Sequence, residues 1–196
     1  MINLTSKERE ALLILFKDYS AFYNANSISK ILKISHVGAQ KLLKRLFESN
    51  IVIKRTIGKS IIYKINFDDT YTIQLLIFLL ADEANNFKRW KEEFKELFVG
   101  NRIVALFGSA VKDYSSARDI DVLIVMDNKN IKEVNSIIEK KGHILPKKIH
   151  VIKLTCKDLL ENVKNKNEAI INIIKNAVVL CGQNKYVEVL KNVASF

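Results

Sequence analysis

The sequence predicts an α+β chain in three parts. Helices plus a β-hairpin occupy 1–67, a helical connector 68–99, and an α/β domain with a short mixed sheet flanked by helices 100–196. Three observations carry that expectation. Helical periodicity fills the first fifty residues, then gives way to two strand-like runs joined at Gly58-Lys59. Helical spacing returns from Asp68 to Phe98. Beyond Gly100, short apolar runs alternate with amphipathic segments, the pattern of strands and their covering helices.

Composition sets the bounds. With 48% hydrophobic and 27% charged residues, the 196-residue chain reads as globular, large enough for two small cores. One proline and six glycines imply long elements and short loops. Met1–Glu10 is polar and lacks the apolar stretch of a signal peptide, and Ile73–Ala81, the longest apolar run, is interrupted by Gln74 and too short to span a bilayer. Cys156 and Cys181 have neither metal-ligand spacing nor a disulfide framework, so free buried thiols and a cytoplasmic location are expected, with no membrane partner.

Charge is unevenly spread. Residues 1–66 hold 12 Lys/Arg against 4 Asp/Glu, whereas residues 67–196 hold 20 against 17. A localised positive surface of this kind releases counter-ions when it meets a polyanion.

Within the basic third, Thr5-Ser6-Lys7-Glu8 has capping-box spacing ahead of an apolar stripe, Leu12, Leu13, Leu15 and Phe16. The polar break Asn24–Ser27 leads into a short helix over Ser27–Leu32, with Ile28, Ile31 and Leu32 on one face. Ser35 is a good N-cap for a third helix reaching about Ser49, expected to bury Val37, Leu42, Leu43, Leu46 and Phe47. Strand-like Ile51–Ile57 and Ser60–Phe67 follow, with Gly58 free to adopt the positive φ of a tight turn.

This order resembles the winged helix-turn-helix family of DNA-binding domains over residues 5–67. The resemblance implies double-stranded DNA as partner. Ser35, His36 and Gln40 would offer donors to base edges, while Lys41, Lys44 and Arg45 reach phosphates. Lys54, Arg55, Lys59 and Lys64 on the hairpin suit flanking phosphates or the minor groove. Such folds also serve as protein-docking modules. In the connector, Ile73–Leu80 is apolar nearly all round, as expected of a helix buried by dimerisation or between domains; a homodimer would let the chain read two half-sites. Phe87–Phe98 reads as an amphipathic surface helix.

In the last part, the apolar strand Arg102–Phe107 runs into Gly108-Ser109, and Asp119-Ile120-Asp121 opens a second strand, Val122–Val125. A helix (Ile131–Lys140), a third strand (Lys148–Leu154) and further helices follow. Residues i and i+2 of a strand share a face, so Asp119 and Asp121 pair their carboxylates, an arrangement suited to Mg²⁺ shared with phosphate oxygens. A Gly-Ser pair where a strand enters a helix supplies N–H groups and a hydroxyl for a polyphosphate.

Phe107-Gly108-Ser109 followed by Asp119-Ile120-Asp121 resembles the signature of the nucleotidyltransferase superfamily with the polymerase-β-like fold, over about residues 100–182. The resemblance implies that Gly108 and Ser109 hold the triphosphate of ATP or another nucleoside triphosphate and that Asp119 and Asp121 hold metal. Lys112 is placed to approach the phosphates. Two departures stand out. Lys112-Asp113-Tyr114 occupies a region where the family usually has a glycine. The later strand has no third carboxylate, and His150 falls about where that acid would stand. An imidazole there is either a base or a part-buried strand histidine. Three readings therefore stay open, the first two being a DNA-binding transcriptional regulator with a nucleotide-binding second domain, or an enzyme transferring a nucleoside monophosphate to a protein (as an antitoxin would), an RNA or a small molecule. A third is a second domain kept only for dimerisation or docking.

Overall fold

Thr5 and Glu8 start the first helix with a reciprocal cap. In the computed structural model, which describes residues 3–193, the Glu8 N–H donates to Thr5 Oγ1 at 3.2 Å and the Thr5 N–H to Glu8 Oε2 at 2.7 Å. Helix α1 (Ser6–Lys17) then buries Ala11, Leu12, Leu15 and Phe16. Asn24 and Ser27 repeat the capping box for α2 (Ala25–Leu32), which stops at Lys33 in the left-handed conformation, φ 53°. Ser35 opens α3 (His36–Glu48) by accepting the Gly38 N–H at 3.0 Å.

Strands β1 (Val52–Ile57) and β2 (Ser60–Ile65) form an antiparallel hairpin, in register from Val52 opposite Ile65 to Ile57 opposite Ser60. Gly58, at φ 59°, makes the turn. Tyr23 bridges to Tyr63 and ties the segment before α2 onto β2.

Two apolar side chains depart from expectation. Val37 is 58% exposed and Ile31 45%. Helix α3 buries Ala39, Leu42, Leu43 and Leu46. That phase puts Val37 on the opposite face, with Gln40, Lys41 and Lys44 at helical spacing. Phe47 is half-buried, with Lys54 Nζ 4.2 Å above its ring.

The described chain divides into two compact units, one ending at Leu79 and the other running Leu80–Val193. Helix α4 (Thr70–Asn85) begins in the first and ends in the second. Among the described residues, no helix is long and apolar enough to cross a membrane.

The second unit is built on a four-stranded sheet in the order β5-β4-β3-β6. Strand β3 (Ile103–Phe107) lies antiparallel to β4 (Asp119–Val125) and to β6 (Val178–Cys181), while β5 (Lys148–Leu154) runs parallel to β4. The two central strands read as unbroken apolar runs because both their faces are covered: Ile103 to Leu106 and Val122 to Val125 are each fully buried. On one face Val104, Leu106, Ile120, Val122, Ile124, Val178 and Leu180 join a core with Trp90, Phe94, Leu97 and Val134. Those partners come from α5 (Lys88–Glu93), the 3₁₀ turn after it (Lys95–Leu97) and α7 (Ile131–Ile144). The segment expected as a surface helix is thus shorter, and its aromatic face is core. The remaining helices are α6 (Ser109–Lys112), α8 (Cys156–Lys164), α9 (Glu168–Asn176) and α10 (Gln183–Lys191).

Candidate functional site

Strand β3 ends at Phe107, and its neighbour across the ladder is Asp121. Gly108 then turns the chain at φ 75° into the short helix α6. A Cβ on Gly108 would stand 2.1 Å from Asp121 Oδ2, so the strand-to-helix turn lies directly on that carboxylate. Only glycine permits both this backbone and this approach. Ser109, the first residue of α6, is exposed beside it.

Asp119 and Asp121 project from one face of β4 and are both part-exposed. The parallel register sets His150 opposite Asp121 and Lys148 opposite Asp119. The His150 Nδ1 stands 3.7 Å from Asp121 Oδ1 and 3.8 Å from Asp119 Oδ2, beyond direct hydrogen bonding but close to both. His150 is 59% exposed at its side chain, not a part-buried strand histidine. Gly108, Ser109, Asp119, Asp121 and His150 therefore meet at one end of the central strands. Lys112 closes α6 and is exposed.

Among the described residues, no group of three or more His, Cys, Asp or Glu side chains forms a ready metal cage. Two open carboxylates suit Mg²⁺, which keeps several waters and takes substrate phosphates as its other ligands. The donor set thus fits: Asp119 and Asp121 would hold the ion, and Gly108 and Ser109 would present N–H groups to the phosphates. When bound, the metal supplies charge neutralisation at the phosphates.

The loop between the two motifs is internally tied. Asp113 accepts from the Ser115 N–H at 2.9 Å and the Ser115 hydroxyl at 2.8 Å. Hydrogen bonding from the Ser116 side chain first, then from the Ser115 side chain and N–H, holds its carboxyl down at about 2. Lys147 Nζ, reaching from the residue before β5, donates to the carbonyls of Tyr114, Ser115 at 3.2 Å and Ala117 at 2.5 Å. Sequence reasoning missed Lys147, since nothing local connects it to a loop thirty residues earlier.

In the first unit, Ser35, His36, Gln40, Lys41 and Lys44 are exposed along α3, as are Lys54, Arg55 and Lys59 on the hairpin. A groove of about 440 Å³ between these elements is lined by Asn24, Asn26, His36, Gln40, Lys59 and Tyr63. Two basic residues are engaged within the fold. Arg45 pairs with the buried Glu8 at 3.2 Å and donates to the Asn3 carbonyl at 2.6 Å. Lys64 donates to the Tyr19 carbonyl at 3.0 Å and lies over the Phe22 ring. Lys44 makes only a loose surface pair with Glu48, 3.7 Å.

Both cysteines are free and half-buried, less enclosed than expected. Burial pushes the Cys181 thiol up from its ordinary value.

No curated protein and no solved structure is matched by the chain. The family model of the nucleotidyltransferase domain matches residues 87–181. The matched segment begins at Phe87, before α5, and ends with β6, so it takes in the whole four-stranded sheet and the helix that sequence reading assigned to the connector. The C-terminal half of this chain carries a nucleotidyltransferase domain.

Proposed function

We propose that this protein is a DNA-binding transcriptional regulator whose nucleotidyltransferase domain binds a Mg²⁺–nucleoside triphosphate. The observation that carries the nucleotide half is the packing of Gly108 on Asp121, with Asp119 on the same strand face. A chain that had abandoned phosphate and metal would have no reason to keep a left-handed glycine seated on a part-exposed carboxylate. Calorimetric titration of Mg²⁺–ATP, then the other triphosphates, into wild type and Asp121→Asn tests it. Binding to wild type that vanishes in the variant is the expected result, and no binding to wild type overturns it.

For the first unit, the reading is a winged helix-turn-helix, with α3 in the major groove and the β1–β2 hairpin beside it. Support comes from the capped α2–α3 pair, the basic hairpin and the outward face of α3. That face adds exposed Val37 to Gln40, Lys41 and Lys44. An apolar side chain among donors suits the thymine methyl group. Exposed Tyr71 and Phe78 on α4 support a homodimer, which sedimentation would test. A soluble cytoplasmic location accords with free thiols.

A second reading is favoured by His150. Its imidazole faces both carboxylates from the strand where the family carries an acid, so it is placed to accept a proton from an attacking hydroxyl. In this reading the protein transfers a nucleoside monophosphate to a protein, RNA or small-molecule acceptor. Transfer of labelled nucleotide that is lost in Asp119→Asn distinguishes it.

A further inference from the structure

Strand β5 brings a cation as well as a histidine to the carboxylate pair. The parallel register sets Lys148 directly opposite Asp119, as it sets His150 opposite Asp121. Side chains two apart on a strand share a face. His150 looks toward both carboxylates, its Nδ1 3.8 Å from Asp119 Oδ2, so Lys148 leaves β5 on that same face. The alternate residues take the other face. Ile149 and Val151 pack against the core that includes Val134 of α7, and Lys153 Nζ donates to Asn135 Oδ1 on the same helix.

Lys148 is exposed, and among the described residues its ammonium has no ion-pair or hydrogen-bond partner. Asp119 stands across the ladder yet does not pair with it, although opposite charges on neighbouring strands ordinarily attract. Lys147, one residue earlier, is instead engaged with the loop carbonyls of Tyr114, Ser115 and Ala117. The two flanks of the carboxylate pair therefore differ. Gly108 and Ser109 stand on the β3 side, His150 and Lys148 on the β5 side. Strand β5 has no carboxylate to add to this face, only the ammonium. Two carboxylates and one ammonium leave a single negative charge, too little to neutralise a divalent ion. A phosphate chain supplies the remainder when the ion arrives with it.

We infer that Lys148 is a binding residue for the phosphate chain of the metal–nucleotide complex, and that its ammonium keeps Asp119 and Asp121 from holding the metal ion alone. The inference rests on the Mg²⁺–nucleotide reading of this site. One ammonium on a flexible four-carbon stem acts with opposite sign on the two ligands. It repels a bare cation and donates charge-assisted hydrogen bonds to an anionic complex. At roughly 8 Å and the dielectric of water, the repulsion amounts to about five-fold in the binding constant of a divalent ion.

Two titrations of the full chain at low ionic strength read the two signs separately. Binding of Mn²⁺ alone, an ion of the same oxygen-ligand class as Mg²⁺, is followed by the paramagnetic resonance of the free ion. Binding of Mg²⁺–ATP, then of the GTP, CTP and UTP complexes, is followed by calorimetry. Lys148→Met is expected to bind Mn²⁺ about five-fold more tightly than wild type and the nucleotide complex about five-fold more weakly. Lys148→Arg keeps the charge and should track wild type in both titrations. Lys153→Met removes one charge from the other face of the same strand and should also track wild type. No gain in Mn²⁺ affinity, no loss of nucleotide affinity, a Lys148→Arg protein that behaves like Lys148→Met, or the same pair of shifts in Lys153→Met overturns the inference. A wild type that binds none of these triphosphates removes the nucleotide reading and this inference with it. Nucleotide binding that Lys148→Met leaves untouched strikes Lys148 alone.

Discussion

Gly108 and Asp121 share one small volume: the missing side chain of the first is the space that the carboxylate of the second occupies, with 2.1 Å between the would-be Cβ and Oδ2. Gly108→Ala must therefore move Asp121, and at φ 75° it also strains the turn. Because the collision falls on a part-exposed side chain, the fold should survive while the proposed Mg²⁺ site does not. We expect Mg²⁺–nucleotide affinity to fall by at least about ten-fold, or 1.4 kcal/mol, with the far-ultraviolet circular dichroism unchanged. Undiminished affinity in a folded Gly108→Ala protein would show that Asp121 takes no part in binding.

His150→Asp places a third carboxylate opposite Asp121. Three acids around one point repel without a cation, so the variant should melt roughly 2–5 °C below wild type in chelator. Adding Mg²⁺ should raise its melting temperature by more than it raises that of wild type. If β5 instead holds residue 150 away from the other two acids, the two proteins will respond alike to metal.

The two motifs of this site were legible because each is local. A strand that ends in Gly-Ser and a strand that opens with Asp-x-Asp announce their faces by period two alone, and β3 and β4 are neighbours in both chain and sheet. Strand β6 was not seen. Val178–Cys181 is four residues long and follows a helix, and its partner β3 lies far upstream. Arg45 shows the same limit at the level of one side chain. Its charge reads as a phosphate contact, yet its partner Glu8 sits on α1, brought close only by folding. Val37 reads as core by hydrophobicity alone, but the helical phase set by Ala39, Leu42, Leu43 and Leu46 turns it outward.

That contrast makes Arg45 and Lys44 a useful pair. Lys44→Ala and Arg55→Ala should weaken DNA binding uniformly across sequences, each lowering the salt slope by about 0.9 if it removes one phosphate contact. Both should leave stability almost untouched, since exposed pairs such as Lys44–Glu48 contribute little. Arg45→Ala should do the reverse. It takes the cation from Glu8, whose side chain is 3% exposed and keeps only its Thr5 bonds at Oε2, and should cost about 1 kcal/mol in denaturant unfolding after allowance for the half-exposed arginine. Equal effects of all three on the salt slope would sink this division of roles.

The Asp113 turn carries a pH signature. Its carboxyl is held at about 2 in the folded chain, chiefly by the Ser116 side chain and then by the Ser115 hydroxyl and N–H, below the unperturbed value of 3.8. A depressed folded pKa means that the turn's contribution is complete above the unperturbed value and is lost as pH falls toward about 2. The chemical shift of the Ser115 amide should hold steady down to about pH 3 and move only below it. Asp113→Asn should abolish that titration. A midpoint near 4 would mean that the serines do not hold the carboxylate in solution.

Lys147 links the start of β5 to the loop that leads into β4. One ammonium group gathers the carbonyls of Tyr114, Ser115 and Ala117 and lies 4.3 Å from the Tyr114 ring, just ahead of Asp119. No other residue type offers three rotatable donors on so long a stem. Lys147→Met keeps the stem and removes the donors, leaving the carbonyls of a part-exposed loop to water. The stability loss should be modest, about 1 kcal/mol, because solvent replaces the lost bonds. Order is the larger casualty: amide exchange across Tyr114–Arg118 should accelerate. Asp119, at the end of that loop, should lose its fixed approach to the metal, so nucleotide affinity falls more than stability does. Lys147→Arg, with a planar fork in place of a rotating ammonium, should recover stability before it recovers affinity. Unchanged exchange across the loop in Lys147→Met would show that the lysine merely rests there, and that Asp119 is positioned by the β4 ladder alone.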